Sequence, residues 1–266
     1  MRVQSLTLAA AGAALLAPTT LPVPTPALAA SGERHRITAS DLLDRVADCA
    51  QVSKGRYRTD AYTAATVPVC GTRQAVFWKA DLDVDCDGRA TAHCNRAADP
   101  AFTATTAYQQ SNGRHLNAET LPYIVVPAPS GRWDHRASGV RGGSVAAVIY
   151  KDRVQYAVVG DTGPRDIIGE ASYATARGLG VNPDPRVGGV PSGVTYIVFK
   201  DSTVKPIEDR AAAEEEGKRL AAQFIGVGDG VDVGVGGDVG VGGDVGDRGG
   251  DDVRDGAGAR DGGGDG

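Results

Sequence analysis

Gly160-Asp161-Thr162-Gly163-Pro164-Arg165-Asp166-Ile167-Ile168-Gly169-Glu170-Ala171-Ser172 follows directly on the β-rich run that starts at Val154. That run ends at Gly160, which puts Asp161 at a strand end. Thr162-Gly163-Pro164 then reads as a tight turn, and Gly169 to Leu179 as a helix that Glu170 opens and Gly178 or Gly180 stops. Working outward, Ser144 to Tyr150 is a second β run, joined to the first by a hairpin turn at Lys151-Asp152-Arg153. Further strands are expected at Ala75 to Lys79, at Leu121 to Pro127 and at Gly193 to Lys200. Ser40, with Asp41 behind it, reads as the cap of a short helix, and Glu208 to Phe224 as a final Ala-rich helix. Several short Val/Ile-rich strands without clean alternation, plus a few helices, predict a mainly β or α+β chain. The expected form is a small β-barrel with helical insertions, in a single domain.

Both ends fall outside that domain. Residues 1–30 read as a secretory signal peptide: Arg2 is the positive region, Leu6 to Ala17 the apolar run, and Ala27-Leu28-Ala29 the small-residue cleavage pattern. From Val227 to Gly266 there are 17 Gly, 10 Asp and three Arg, and Gly-Val-Gly-Gly-Asp-Val occurs twice, at Gly234 to Val239 and Gly240 to Val245. Such a segment has little to bury and is expected to be a disordered, solvated tail. It carries a net −7, against −5 for all 266 residues, so the acidity sits in the tail and residues 31–226 are close to neutral. That balance argues against nucleic acid as a partner. No apolar run beyond the first thirty residues reaches membrane-spanning length.

The four cysteines, Cys49, Cys70, Cys86 and Cys94, lie early in the domain. An even count behind a signal peptide predicts two disulfides with three connectivities open. Cys49–Cys70 and Cys86–Cys94 are favoured because short loops close most readily. Zinc needs paired ligands such as C-x-x-C, and only His93 beside Cys94 hints at one.

Carboxylates dominate the chemistry. Asp161 and Glu170 flank one mouth, and two acids across a cleft suit glycoside hydrolysis; the plainer reading is a turn acid and a helix-start acid. Asp83, Asp85, Asp87 and Gly88 match the opening of a calcium loop, but the position of its closing Glu is Cys94. The same run also reads as an acidic wall for a cationic substrate, or as a solvated acidic turn. His35, His93, His115 and His135 lie in separate loop-like contexts with no nucleophile beside them. The absence of G-x-S-x-G, a P-loop, a dinucleotide fingerprint and H-E-x-x-H disfavours serine hydrolases, nucleotide enzymes and zinc proteases.

Taken together, several stretches resemble glycoside hydrolase family 75, the secreted endo-chitosanases. They are Phe77 to Gly88, Pro122 to Pro127, Val145 to Ile149, Gly160 to Pro164, Gly169 to Ser172 and Val194 to Phe199, in that order. The resemblance implies an inverting hydrolase of chitosan without a cofactor, with Asp161 and Glu170 as the essential carboxylates. It also implies a Glu acid and an Asp base, which conflicts with a Glu at a helix N-terminus, where the dipole lowers the pKa. Chitosan is a polycation, so Asp81 and Asp83 are expected to contribute to substrate subsites. Asp-Thr-Gly followed by Ile-Ile-Gly looks like the signature of double-psi β-barrels. On that barrel the competing readings are a peptidoglycan lytic transglycosylase, which needs one acid, and a non-hydrolytic polysaccharide-binding module. A secreted monomer is expected.

Overall fold

The computed structural model describes residues 36–227. The signal peptide, His35 and all of the Gly/Asp tail beyond Val227 lie outside them. The elements are α1 (Ala39–Asp44), β1 (Cys70–Gly71), β2 (Ala75–Asp85), β3 (Tyr123–Pro127), β4 (Val145–Tyr150), β5 (Arg153–Gly163), β6 (Glu170–Ser172), α2 (Tyr173–Gly178), β7 (Val190–Phe199) and α3 (Arg210–Ile225). The strands run in the order β1-β2-β6-β3-β5-β4-β7, and β7 pairs again with β2. The sheet therefore closes on itself, with β1 appended outside the barrel. Two of its pairings, β2–β6 and β3–β5, are parallel; the others are antiparallel. This is the small barrel with helical insertions that the sequence predicts.

Closure explains the missing polar alternation. Val76, Trp78, Ala80 and Leu82 of β2 meet Ala146, Val148, Ala157, Val159, Tyr196 and Val198 in one core, the lumen. Alternate residues, among them Phe77, Ala147, Ile149, Val158, Ile197 and Phe199, form a second core on the outside, under α3. Both faces of these strands are thus apolar. Asp209 caps α3 by accepting the Ala212 N–H at 2.9 Å, and Phe224 meets Phe199 edge-on at 5.8 Å.

The elements differ locally from expectation in four places. Thr38, not Ser40, caps α1, through a reciprocal capping box with Asp41. β2 does not stop at Lys79 but runs to Asp85, so the expected acidic loop is mostly strand. β5 continues through Asp161 to Gly163. Glu170 belongs to β6, not to a helix: Ala171 is drawn into the lumen and the chain pairs with β2 before Ser172 caps α2. Helix-forming residues around Glu170 lose here to strand pairing and burial. The disulfides are Cys49–Cys70 and Cys86–Cys94, the favoured pairing.

Candidate active site

The site lies on the outer face of the barrel where β2, β6, β3 and β5 adjoin. In the ladders Asp83 is opposite Glu170, Ala171 opposite Ile124, and Val125 opposite Asp161. Asp83, Glu170, Val125 and Asp161 consequently form one transverse row. A bulge between Ile124 and Val125 on this ladder creates it, since Ile124 is opposite Val159 and the next residue, Val125, is opposite Asp161. The extra residue, Gly160, turns Asp161 away from the lumen, which Val159 faces, onto the face that carries Glu170. Only glycine fits there: a Cβ on Gly160 would come within 2.6 Å of the Tyr123 side chain.

Asp161 is 7% exposed. Its Oδ1 accepts the Ala107 and Thr162 N–H groups, each at 2.7 Å, while Oδ2 makes no hydrogen bond among the described residues. Burial raises its pKa, and those two N–H donors and His115 oppose the rise. Glu170 extends across β3. A Cβ on Gly163 would lie 2.6 Å from Glu170 Oε2 and 3.1 Å from Val125 Cγ1. Burial, then the charges of Asp83, Asp161, Asp87 and Asp60, pushes the Glu170 carboxyl up to about 7. The conflict with a helix dipole disappears, because Glu170 is in a strand. Asp166, a sequence-level source of charge near Glu170, instead lies 3.8 Å from Arg58.

The acidic run separates by position. Asp81, Asp83 and Asp85 share one face of β2, while Leu82 enters the lumen. Asp83 is exposed in the row, and loss of water, then Asp60, lifts it to about 6. Asp81, expected at a substrate subsite with Asp83, is only 3% exposed, with Oδ1 unpartnered against Gly169, so unlike Asp83 it does not stand open to solvent. Burial, then Asp83, lifts Asp81 to about 8. Asp85 accepts the Asp87 N–H at 2.7 Å, and Asp87 is taken up by the Thr103 N–H and hydroxyl at 2.6 and 2.7 Å. The calcium-loop reading of Asp83, Asp85 and Asp87 meets a strand at Asp83 and Asp85, and no group of three or more His, Cys, Asp or Glu side chains placed to hold a metal ion occurs among the described residues.

Asp60 was missed by the sequence reading. It reaches the site through tertiary pairing: Arg58 N–H donates to Asp166 O at 2.9 Å and Ile168 N–H to Arg58 O at 3.0 Å, beside the start of β6. No spacing within the sequence signals this. Both tryptophans are buried: Trp78 stacks on Tyr196 at 5.3 Å in the lumen, and Trp133 meets it edge-on at 6.3 Å. His93 is bound to Glu119 at 2.9 Å.

The barrel carries two desolvated carboxylates in one row, the kind of pair that glycoside hydrolysis uses, and the family its sequence matches is one of glycoside hydrolases. Residues 82–231 match the family described as fungal chitosanase of glycosyl hydrolase group 75, and the chain belongs to that family. It is 33% identical over 132 residues to an endo-chitosanase C of Aspergillus oryzae, covering 48% of this chain and 32% of that protein. It is 26% identical over 200 residues to an endo-chitosanase of Aspergillus fumigatus, covering 68% and 82%. A further endo-chitosanase of A. oryzae is 30% identical over 139 residues, covering 48% and 56%. The chain thus spans about a third to a half of the length of these A. oryzae relatives, and most of the A. fumigatus one.

Proposed function

We propose that the chain is a secreted, monomeric endo-chitosanase. It cleaves β-1,4 bonds between glucosamine units with inversion, Glu170 acting as acid and Asp161 as base. The observation that carries this reading is the carboxylate row. Glu170 and Asp161 stand two strand spacings apart, about 9–10 Å between backbones. The Glu170 carboxyl leans over β3 toward Gly163, two residues or about 6–7 Å along β5 from Asp161. That arrangement is compatible with the ~6.5–9.5 Å gap in which an inverting enzyme holds its water.

The electrostatics divide the roles. A carboxyl with its pKa raised to about 7 keeps its proton in mildly acidic solution and can protonate the leaving oxygen. Asp161 has Oδ1 fixed by two N–H groups and Oδ2 open to orient and deprotonate a water. Asp83 beside Glu170 suits the positively charged sugars of chitosan. The two disulfides fit an oxidising compartment, and no helix among the described residues is long and apolar enough to cross a membrane.

The test is product analysis by mass spectrometry after incubation with chitosan, chitin, carboxymethylcellulose and peptidoglycan, with proton NMR of the first anomer released. Glucosamine oligomers of inverted configuration from chitosan are expected. Anhydro-sugars from peptidoglycan, or no products despite binding, would overturn the reading.

A further inference from the structure

The loop Arg58–Thr66 carries two side chains that the catalytic pair does not explain. Tyr62 is 100% exposed. Asp60 is exposed too, and among the described residues no cation or hydrogen-bond donor meets its carboxylate. The loop is nevertheless well built. Arg58 Nη1 donates to Thr63 O at 3.1 Å and to Ala61 O at 3.3 Å, the Asp60 N–H donates to the Thr63 hydroxyl at 3.0 Å, and Arg56 Nη1 donates to Thr66 O at 2.8 Å. Its ends are closed by the Tyr57–Val67 bridge. An ordered loop that holds a tyrosine wholly in water presents that ring rather than burying it.

Its position ties it to the site. Arg58 pairs in parallel with Ile167. Ile168 N–H donates to Arg58 O at 3.0 Å, two residues before Glu170, and the chain then turns at Asp60, whose O accepts the Thr63 N–H at 3.2 Å. The charge of Asp60 is felt by Asp81, Asp83 and Glu170 alike. Asp83 likewise has no cationic partner among the described residues. Behind them Asp81, 3% exposed, holds Oδ1 against Gly169 without any donor. Three carboxyl groups from two elements thus feel one another's charge, with no ion pair to any of them among the described residues, and the loop that supplies Asp60 also carries the exposed Tyr62 ring.

We propose that the Arg58–Thr66 loop is a substrate-binding wall in which Asp60, with Asp83 opposite, takes the ammonium group of an amino sugar while Tyr62 stacks on a pyranose face. Carboxylates that lack a partner in the free protein gain one from a cationic sugar. The apolar face of a pyranose covers a ring that the protein itself leaves uncovered. The inference rests on the chitosanase reading and supplies its selectivity for deacetylated units: an N-acetyl group is neutral and gives Asp60 nothing to neutralise.

The experiment measures binding apart from turnover. Full chains carrying Glu170→Gln alone, or with Asp60→Asn or Tyr62→Ala added, are titrated calorimetrically with a glucosamine hexamer and with an N-acetylglucosamine hexamer. In parallel, the unsubstituted chain is assayed on chitosan. Asp60→Asn is expected to weaken the glucosamine hexamer about tenfold, equivalent to about 1.4 kcal/mol, with the difference shrinking at high salt. Tyr62→Ala should weaken it by about five- to tenfold, independently of salt, and neither change lies in a buried or structural position. Parent-like binding by both variants would overturn the inference, even if chitosan is hydrolysed. Weakened binding without hydrolysis by the unsubstituted chain would uphold the wall and overturn the enzyme. No binding of the glucosamine hexamer by the Glu170→Gln parent would overturn both.

Discussion

Replacing Asp81 by Asn should stabilise the protein, and do so more strongly as the pH rises. The Asp81 carboxyl is buried, its Oδ1 has no donor, and its pKa is lifted from 3.8 to about 8 by burial and by Asp83. A carboxyl whose folded pKa exceeds its unfolded one binds more protons in the folded state. Stability then falls as pH rises between the two values. Each tenfold gain in proton affinity is worth about 1.4 kcal/mol, so the ceiling is about 5–6 kcal/mol above pH 8 and about half of that near pH 6. Relaxation and entering water will lower both, and about 2–3 kcal/mol at pH 7.5 is a realistic expectation. Asn keeps the shape and cannot ionise. Urea unfolding from pH 4 to 8 should show the variant matching the parent at the acid end and pulling ahead steadily toward pH 8. A deficit that is constant across the range would refute the reasoning, since it would mean that the Asp81 carboxylate accepts a stabilising bond.

Four further outcomes follow from the same geometry. Glu170→Gln and Asp161→Asn should each reduce kcat on chitosan by at least about 10³-fold, the scale of removing a catalytic proton-transfer group, with circular dichroism unchanged. The alkaline limb of kcat/KM should fall near pH 7, where Glu170 loses its proton. Asp83→Asn should move that limb to lower pH, because it removes the largest charge that raises Glu170. Gly169→Ala should destabilise the chain by about 2 kcal/mol or more in thermal unfolding: its φ of 125° is strained for any other residue, and a Cβ would run into Asp81 Oδ1.

What could be read from the sequence was local. Val-rich runs gave β3, β4, β5 and β7 to within a few residues, and short loop closure anticipated both disulfides. What could not be read depends on partners distant in sequence. Glu-Ala-Ser-Tyr-Ala-Thr-Ala looks helical throughout, and only the presence of β2 alongside makes its first three residues a strand. Asp-Leu-Asp-Val-Asp looks like a metal loop until Leu82 is seen to fill the lumen. That Asp161 and Glu170 flank one mouth was expected from the sequence, but the way the fold brings them into one row was not. The row arises from a one-residue bulge at Gly160 and from β3 lying between them.

The same contrast bears on how the acid is tuned. A helix-start Glu would have been a poor general acid, held ionised by backbone N–H groups. In β6 the opposite holds: the Glu170 carboxyl receives no backbone N–H, sits in reduced solvent, and is surrounded by Asp83, Asp161, Asp87 and Asp60. Asp161, 7% exposed on the same face, keeps two N–H donors of its own. Two carboxyls in one row are therefore driven apart in behaviour by which of them the backbone solvates, and in the mechanism proposed above that asymmetry leaves the proton on Glu170. A cationic sugar entering between Asp60 and Asp83 would neutralise part of the charge that holds this proton. The pKa of Glu170 should accordingly fall when substrate binds, which strengthens it as an acid at the moment the leaving oxygen needs its proton.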